Sequence, residues 1–130
     1  MTIEGREVFN DYEEGLAYAR QTGKPVIIDF TGYGCVNCRK MEAFVLDDDS
    51  VKTRLKNYVF IELFVDDRRV SENGNAQGES NGDRNSRIQR EQFGSNAQPF
   101  YVQLDAYGHQ IAEPMAFTTD PQEFLHWLKY

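Results

Sequence analysis

Cys35 and Cys38 are the only cysteines in the sequence, and Val36 and Asn37 separate them. A cross-link between them closes too short a loop to stabilise a fold by much. Chemistry is therefore the better account of the pair. Ahead of it, Val26-Ile27-Ile28-Asp29-Phe30 is a short, β-branched, apolar run, the pattern of a strand covered on both faces. Thr31-Gly32-Tyr33-Gly34 reads as a loop. From Val36 to Leu46 there is neither Gly nor Pro, and Met41, Phe44 and Val45 fall at helical spacing. The pair is thus expected at the start of a helix that follows a buried strand. A thiolate, not a thiol, attacks disulfides. Unpaired amides and the helix dipole favour negative charge at that end, which lowers the pKa of Cys35. Cys38, one turn in, is expected to be buried and placed to resolve a mixed disulfide. Arg39 and Lys40 either add positive charge nearby or are solvated helix residues.

Other residues have types that could do chemistry. C-x-x-C is also half a zinc site. The further ligands would have to be His109 and His126, one in an expected hairpin turn and one in the final helix. They lack paired spacing, so no metal is assigned and each is read as a surface residue. Asp47-Asp48-Asp49-Ser50 lacks the Gly and downstream Glu of a calcium loop and reads as a turn and helix cap. Asp29 lies inside an apolar strand, where desolvation raises a carboxyl pKa. It is a candidate proton acceptor for Cys38; the plainer alternative is a hydrated carboxylate at the strand's end. Pro99 stands at the entrance of a strand-like run, and proline cannot donate to a sheet ladder. A trans proline starting the strand is the ordinary expectation. A cis Gln98–Pro99 bond would leave the Gln98 backbone open to an extended substrate, and the combination with the cysteine motif in the same chain favours it.

The elements that must position these groups follow from local signals. Asp11 caps a first helix that Gly23 ends, with Glu14 closing a capping box. After the helix of the cysteine pair, a third covers Val51 to Asn57, and Tyr58 to Val65 is a second buried strand. Asp66 to Glu91 is polar, and residues 66–87 are expected as an excursion outside the core, since they lack the apolar surface that offsets ordering entropy. Ile88 to Phe93 forms a short helix. A third strand runs from Gln98 to Leu104, Gln110 to Ala112 pairs back as a hairpin strand, and a last helix covers Gln122 to Tyr130.

The length of 130 residues fits one domain. A net charge of −7 argues against nucleic acid as a partner, since phosphate binding needs basic patches. No apolar run approaches the ~20 residues of a membrane span, and Met1 to Tyr18 contains no secretory signal. Ile3-Glu4-Gly5-Arg6 spells a protease-site linker, so residues 1–7 are assigned to a linker and the chain is read as an excised fragment.

On Val26–Phe30, the Cys35–Cys38 helix start and Gln98-Pro99-Phe100-Tyr101-Val102, the chain resembles the thioredoxin superfamily. That resemblance implies an α/β thioredoxin-like fold over residues 8–130, with a mixed central sheet flanked by helices on both faces. More narrowly it resembles the C-terminal periplasmic domain of the DsbD family of membrane reductases, in its Bacteroides-type form. The residues behind this are Gly23-Lys24-Pro25, Asp29 to Cys35, Arg39-Lys40-Met41-Glu42 and Asn96 to Tyr101. The resemblance implies a protein-disulfide reductase with Cys35 as nucleophile, Cys38 as resolver and Asp29 as the buried acid. Pro99 is then the cis-proline, with Gln98, Tyr33 and Gly34 beside it on the substrate side.

It further implies electrons received from a membrane-embedded DsbD-like domain and passed to an N-terminal DsbD-like domain. The setting would be the periplasm, with the chain a soluble, monomeric domain of an inner-membrane protein that also serves cytochrome c biogenesis. No cofactor is implied beyond the Cys35–Cys38 disulfide. Gly34 replaces the aromatic residue usual before the first cysteine, and Asn37 the proline usual before the second. These departures leave redox potential and substrate range open. A self-standing thioredoxin-like reductase is the alternative. A binding or chaperone module whose cysteines form an inert bridge is a third reading.

Overall fold

A computed structural model of the chain describes residues 2–3, 5–71 and 78–130. In order, these form β1 (Thr2–Ile3), β2 (Arg6–Phe9), α1 (Tyr12–Thr22), β3 (Val26–Thr31) and α2 (Val36–Met41), which continues as a π-helical turn over Glu42–Leu46. There follow α3 (Asp49–Leu55), β4 (Val59–Phe64), α4 (Asn81–Phe93), β5 (Phe100–Leu104) and α5 (Pro121–Trp127). The strands form one sheet in the order β1-β2-β4-β3-β5. β4 pairs parallel with β2 and β3, whereas β5 runs antiparallel to β3 and β1 antiparallel to β2. The sheet is therefore mixed, as expected.

β3 lies between two partners, and all six of its residues are buried. Its alternation divides the core. Val26, Ile28 and Phe30 face one layer, where Val59, Ile61, Leu63, Val102 and Leu104 meet Ala19 of α1 and Ile88 of α4. Ile27 faces the other, with Phe60 and Tyr101 against Met41, Val45, Leu55 and Phe124 from the helices α2, α3 and α5 and the π turn. Each fully buried aliphatic or aromatic side chain of this kind contributes about 1.5–3 kcal/mol. Helix ends follow local chemistry. Asp11, Asp48, Ser80 and Asp120 each accept a backbone N–H at an N-terminus. Gly23 closes α1 at φ 74°, a conformation that glycine alone adopts without cost.

Several expectations are corrected. The first element is not a helix: β1 and β2 precede it. Glu7 of β2 pairs with Val59. Only Val8 of β2 is buried, so its hydrophobic pattern is weak. The helix expected over residues 36–46 changes pitch at Glu42, where the Asp47 N–H reaches back five residues to the Glu42 carbonyl (2.9 Å). Gln110 to Ala112 does not form a strand; it meets β5 at an isolated bridge, Leu104 to Gln110. The last helix ends at Trp127, and its tail is held instead by Tyr58, whose hydroxyl accepts the Tyr130 N–H (2.8 Å).

The largest difference concerns residues 66–87. Helix α4 begins at Asn81, well before Ile88, and Asp67, Gly82 and Asn85 are buried. Before Ile88 its inner face is polar, which is why apolar periodicity missed its first half. Asn85 donates to the Phe64 carbonyl (3.0 Å) and Asn81 to Asp67 (3.2 Å). Gly82 sits against the loop after β4. A Cβ there would lie 2.7 Å from the Val65 carbonyl and 2.8 Å from the Asp67 backbone. Residues 72–77 of the expected excursion lie outside the described residues.

Candidate active site

The chain leaves β3 through Gly32, Tyr33 and Gly34 and enters α2 at Cys35. Cys35 has extended backbone (φ −87°, ψ 105°), so it is the N-cap rather than the first helical residue. Its sulfur takes the place a capping oxygen usually holds and accepts the Cys38 N–H at 3.1 Å. Cys35 and Cys38 are joined as a disulfide, with Cα atoms 5.2 Å apart. Cys38 is 1% exposed, while Cys35 is only half-buried. A partner can therefore approach Cys35 and not Cys38. Val36, next to the pair, is exposed, as is Tyr33, which stacks on Phe64 with ring centroids 4.1 Å apart.

Beneath α2 lies the expected carboxyl group. Asp29 is 1% exposed, and neither of its oxygens has a hydrogen bond among the described residues. Its pKa is raised well above 3.8, first by burial, then by the carboxylates of Glu62 and Glu42. The Tyr101 hydroxyl is its polar neighbour and partly offsets the shift, without completing a bond of ordinary geometry. Asp29 stands in register between Glu62 on β4 and Tyr101 on β5. Glu62 is raised as well, by burial and by Glu42. The Tyr101 hydroxyl is pushed well above 10 by burial and by Asp29. Arg39 lies across this cluster, bonding Thr31 Oγ1 (3.1 Å) and Glu42 (2.9 Å).

The Gln98–Pro99 bond is cis. β5 begins at Phe100, opposite Phe30, so Pro99 lies at the sheet end from which the Gly32–Gly34 loop departs. Tyr33, Gly34, Cys35, Cys38, Asp29 and Pro99 thus gather at the end of β3. His109 and His126 do not join them. His109 sits in the turn after β5 against Asp105 (3.2 Å), and His126 is on α5.

Two supports were not legible in the sequence. Asp66 accepts the N–H groups of Tyr33 (2.9 Å) and Gly34 (3.2 Å) through its two carboxyl oxygens. Gln89, 1% exposed on α4, donates to the Ala97 carbonyl (2.7 Å) and accepts from the Gln98 side chain (3.1 Å). Both belong to the polar stretch after β4, which carries no motif. Only its position behind the second buried strand signalled them.

A family model described as thioredoxin-like matches residues 7–106. The chain is 34% identical over 62 residues to the thiol:disulfide interchange protein DsbD 1 of Pseudomonas aeruginosa, covering 48% of this chain and 10% of that protein. It is 31% identical over 71 residues to DsbD of Campylobacter jejuni, 55% of this chain and 12% of that protein. The chain therefore spans about a tenth of the length of these curated relatives. Among solved structures, a thioredoxin from Thermus thermophilus superposes with a TM-score of 0.70 at 21% identity, covering 94% of this chain and 83% of that one. The oxidised C-terminal domain of DsbD from Neisseria meningitidis gives 0.62 at 19% identity, covering 92% and 95%. These structural likenesses carry the fold.

Proposed function

Because this chain belongs to the thioredoxin-like family and is a DsbD-like thiol–disulfide reductase domain, we propose that it relays electrons from a membrane-embedded domain to periplasmic thiol proteins. The observation that carries the exchange chemistry is the asymmetry of the pair: a half-buried cysteine at the N-cap of α2 and a fully buried one a turn behind it. In the reduced protein the Cys35 thiolate attacks one sulfur of a partner disulfide. A Cys35–partner bond forms, the partner S–S bond breaks, and its second sulfur leaves as a thiolate. The Cys38 thiol then gives its proton to the Asp29 carboxylate and attacks the Cys35 sulfur, whose bond to the partner breaks. The partner's two thiolates take up two protons, one returned from Asp29 and one from solvent, and it departs as a dithiol carrying two electrons from the Cys35–Cys38 pair. Reloading runs the same steps backwards from a dithiol on the membrane side. Tyr33 and Gly34 on the loop before Cys35, with Gln98 and the buried Pro99 at the same end of the sheet, are in this reading the residues a partner segment meets. No further cofactor enters the scheme.

The test is a trapping experiment with an oxidised DsbD-type N-terminal domain as partner. Cys38→Ser should accumulate a covalent complex, because nothing resolves it, and Cys35→Ser should not. Trapping by Cys35→Ser alone reverses the assigned roles. A wild-type reduced chain that leaves the partner disulfide intact overturns the relay.

A further inference from the structure

The loop in front of Cys35 is held from outside its own element. Asp66, two residues beyond β4, places one carboxyl oxygen on the Tyr33 N–H and the other on the Gly34 N–H. The approach is close at Gly32, where a Cβ would lie 3.3 Å from Asp66 Oδ2; a Cβ on Gly34 would lie at 4.0 Å, an ordinary contact distance. The same segment grips the Tyr33 side chain, through its stacking on Phe64 and a bond from Arg69 to the Tyr33 hydroxyl (3.3 Å). Gly34 occupies the position directly before the reacting cysteine. A carboxylate one hydrogen bond from its amide is thus a residue away from Cys35.

We propose that Asp66 is a positioning residue for the exchange reaction: its carboxylate clasps the Tyr33–Gly34 loop and sets a negative charge beside the attacking sulfur. The inference rests on the exchange role given to Cys35 above. Two consequences follow. The two amides are committed to Asp66 and do not turn toward a Cys35 thiolate. The charge opposes that thiolate, so the thiol is less acidic and the pair more strongly reducing than the helix terminus alone would make it. The other charged groups around the loop are Arg39 from α2, which reaches the Tyr33 carbonyl (3.5 Å), Lys40 beside it, and Arg69 and Asp67 from the segment after β4. Asp29, Glu62 and Glu42 lie on the inner side, beneath α2. Among the described residues, Asp66 is the group that bonds both amides.

The experiment measures, in the reduced protein, the pH dependence of Cys35 alkylation and the equilibrium with glutathione. Asp66→Asn removes the charge and should raise the Cys35 acid dissociation constant by roughly threefold or more, since a nearby unit charge is felt weakly in bulk water and more strongly near a protein surface. The glutathione equilibrium should move toward the dithiol by a similar factor. Asp66→Ser, neutral and still able to accept from one amide, should act in the same direction. Asp66→Glu, which keeps the charge, should stay near wild type. Asp67→Asn breaks a contact with Arg69 and Asn81 and should lower the melting temperature while leaving the Cys35 profile in place. A Cys35 profile unchanged in both neutral variants, or shifted to higher pH, overturns the proposal even if the wild type exchanges disulfides normally. A wild type inert toward disulfides overturns the function itself.

Discussion

Replacing Asp29 with Asn should flatten one part of the dependence of stability on pH. The Asp29 carboxyl is 1% exposed, its oxygens lack hydrogen bonds among the described residues, and the Glu62 and Glu42 carboxylates repel it. Its native pKa therefore stands well above the 3.8 of an exposed aspartate. Between those two values the native state holds one proton that the unfolded state has released. Stability then falls as pH rises, by about 1.4 kcal/mol for each pH unit in that window. The contribution is complete below the unfolded pKa and is lost as pH rises through the native one. Asparagine does not titrate, so the variant should lose this slope. A buried amide without partners costs about 1–3 kcal/mol at every pH, so the slope and not the offset is the readout. Urea unfolding of the oxidised protein, from just above the ordinary aspartate range to mildly alkaline solution, measures both. Parallel curves for wild type and variant would refute the burial argument. In the reduced protein the variant should slow the Cys38 resolving step by roughly 10²-fold or more, with the Cys35 attack changed far less.

Gly82→Ala should destabilise by about 1–3 kcal/mol in urea titrations, because the new methyl meets the backbone of Val65 and Asp67 and not a yielding side chain. Gln89→Ala should cost about 1–3 kcal/mol by removing the buried partner of Ala97 and Gln98, and should raise amide exchange across residues 96–98. Asp67 is held down to about 2, first by its hydrogen bonds with Arg69. Its contribution is present above the unfolded value of 3.8 and disappears as pH falls toward 2, so Asp67→Asn should lose stability at neutral pH and converge with wild type in acid. Melting curves across that range test it.

The elements legible in the sequence were those whose signal is local. Val26–Phe30 is apolar throughout because β3 is covered on both sides, and Asp11, Gly23 and Asp120 mark helix ends through bonds to their own neighbours. The cysteine pair and Asp29 were legible because their placement needs only β3 and the start of α2. What was missed depends on distant partners. β2 has one buried residue and is defined by its pairing with β4, some fifty residues later. α4 packs through Asn81, Asn85 and Gln89, whose worth lies in the carbonyls and carboxylate they meet, none of which composition reveals. Asp66 reads as one more acid in a polar stretch until β4 delivers it to the Tyr33 and Gly34 amides.

The π turn after Met41 has a consequence for the phase of the helix. A turn closed by a five-residue bond winds less per residue than an α turn. Cys38, Met41 and Val45 share one buried side under ordinary helical spacing, but Leu46 would begin to swing off it. Unwinding over Glu42–Leu46 brings Leu46 back into the core with Val45, while Ala43 and Phe44 bulge toward solvent. The first half of the rod can then be timed to the sulfur chemistry at its tip and the second half to the packing beneath α5. One extra residue absorbs the difference between the two clocks, so a single deletion between Glu42 and Leu46 would set them against each other.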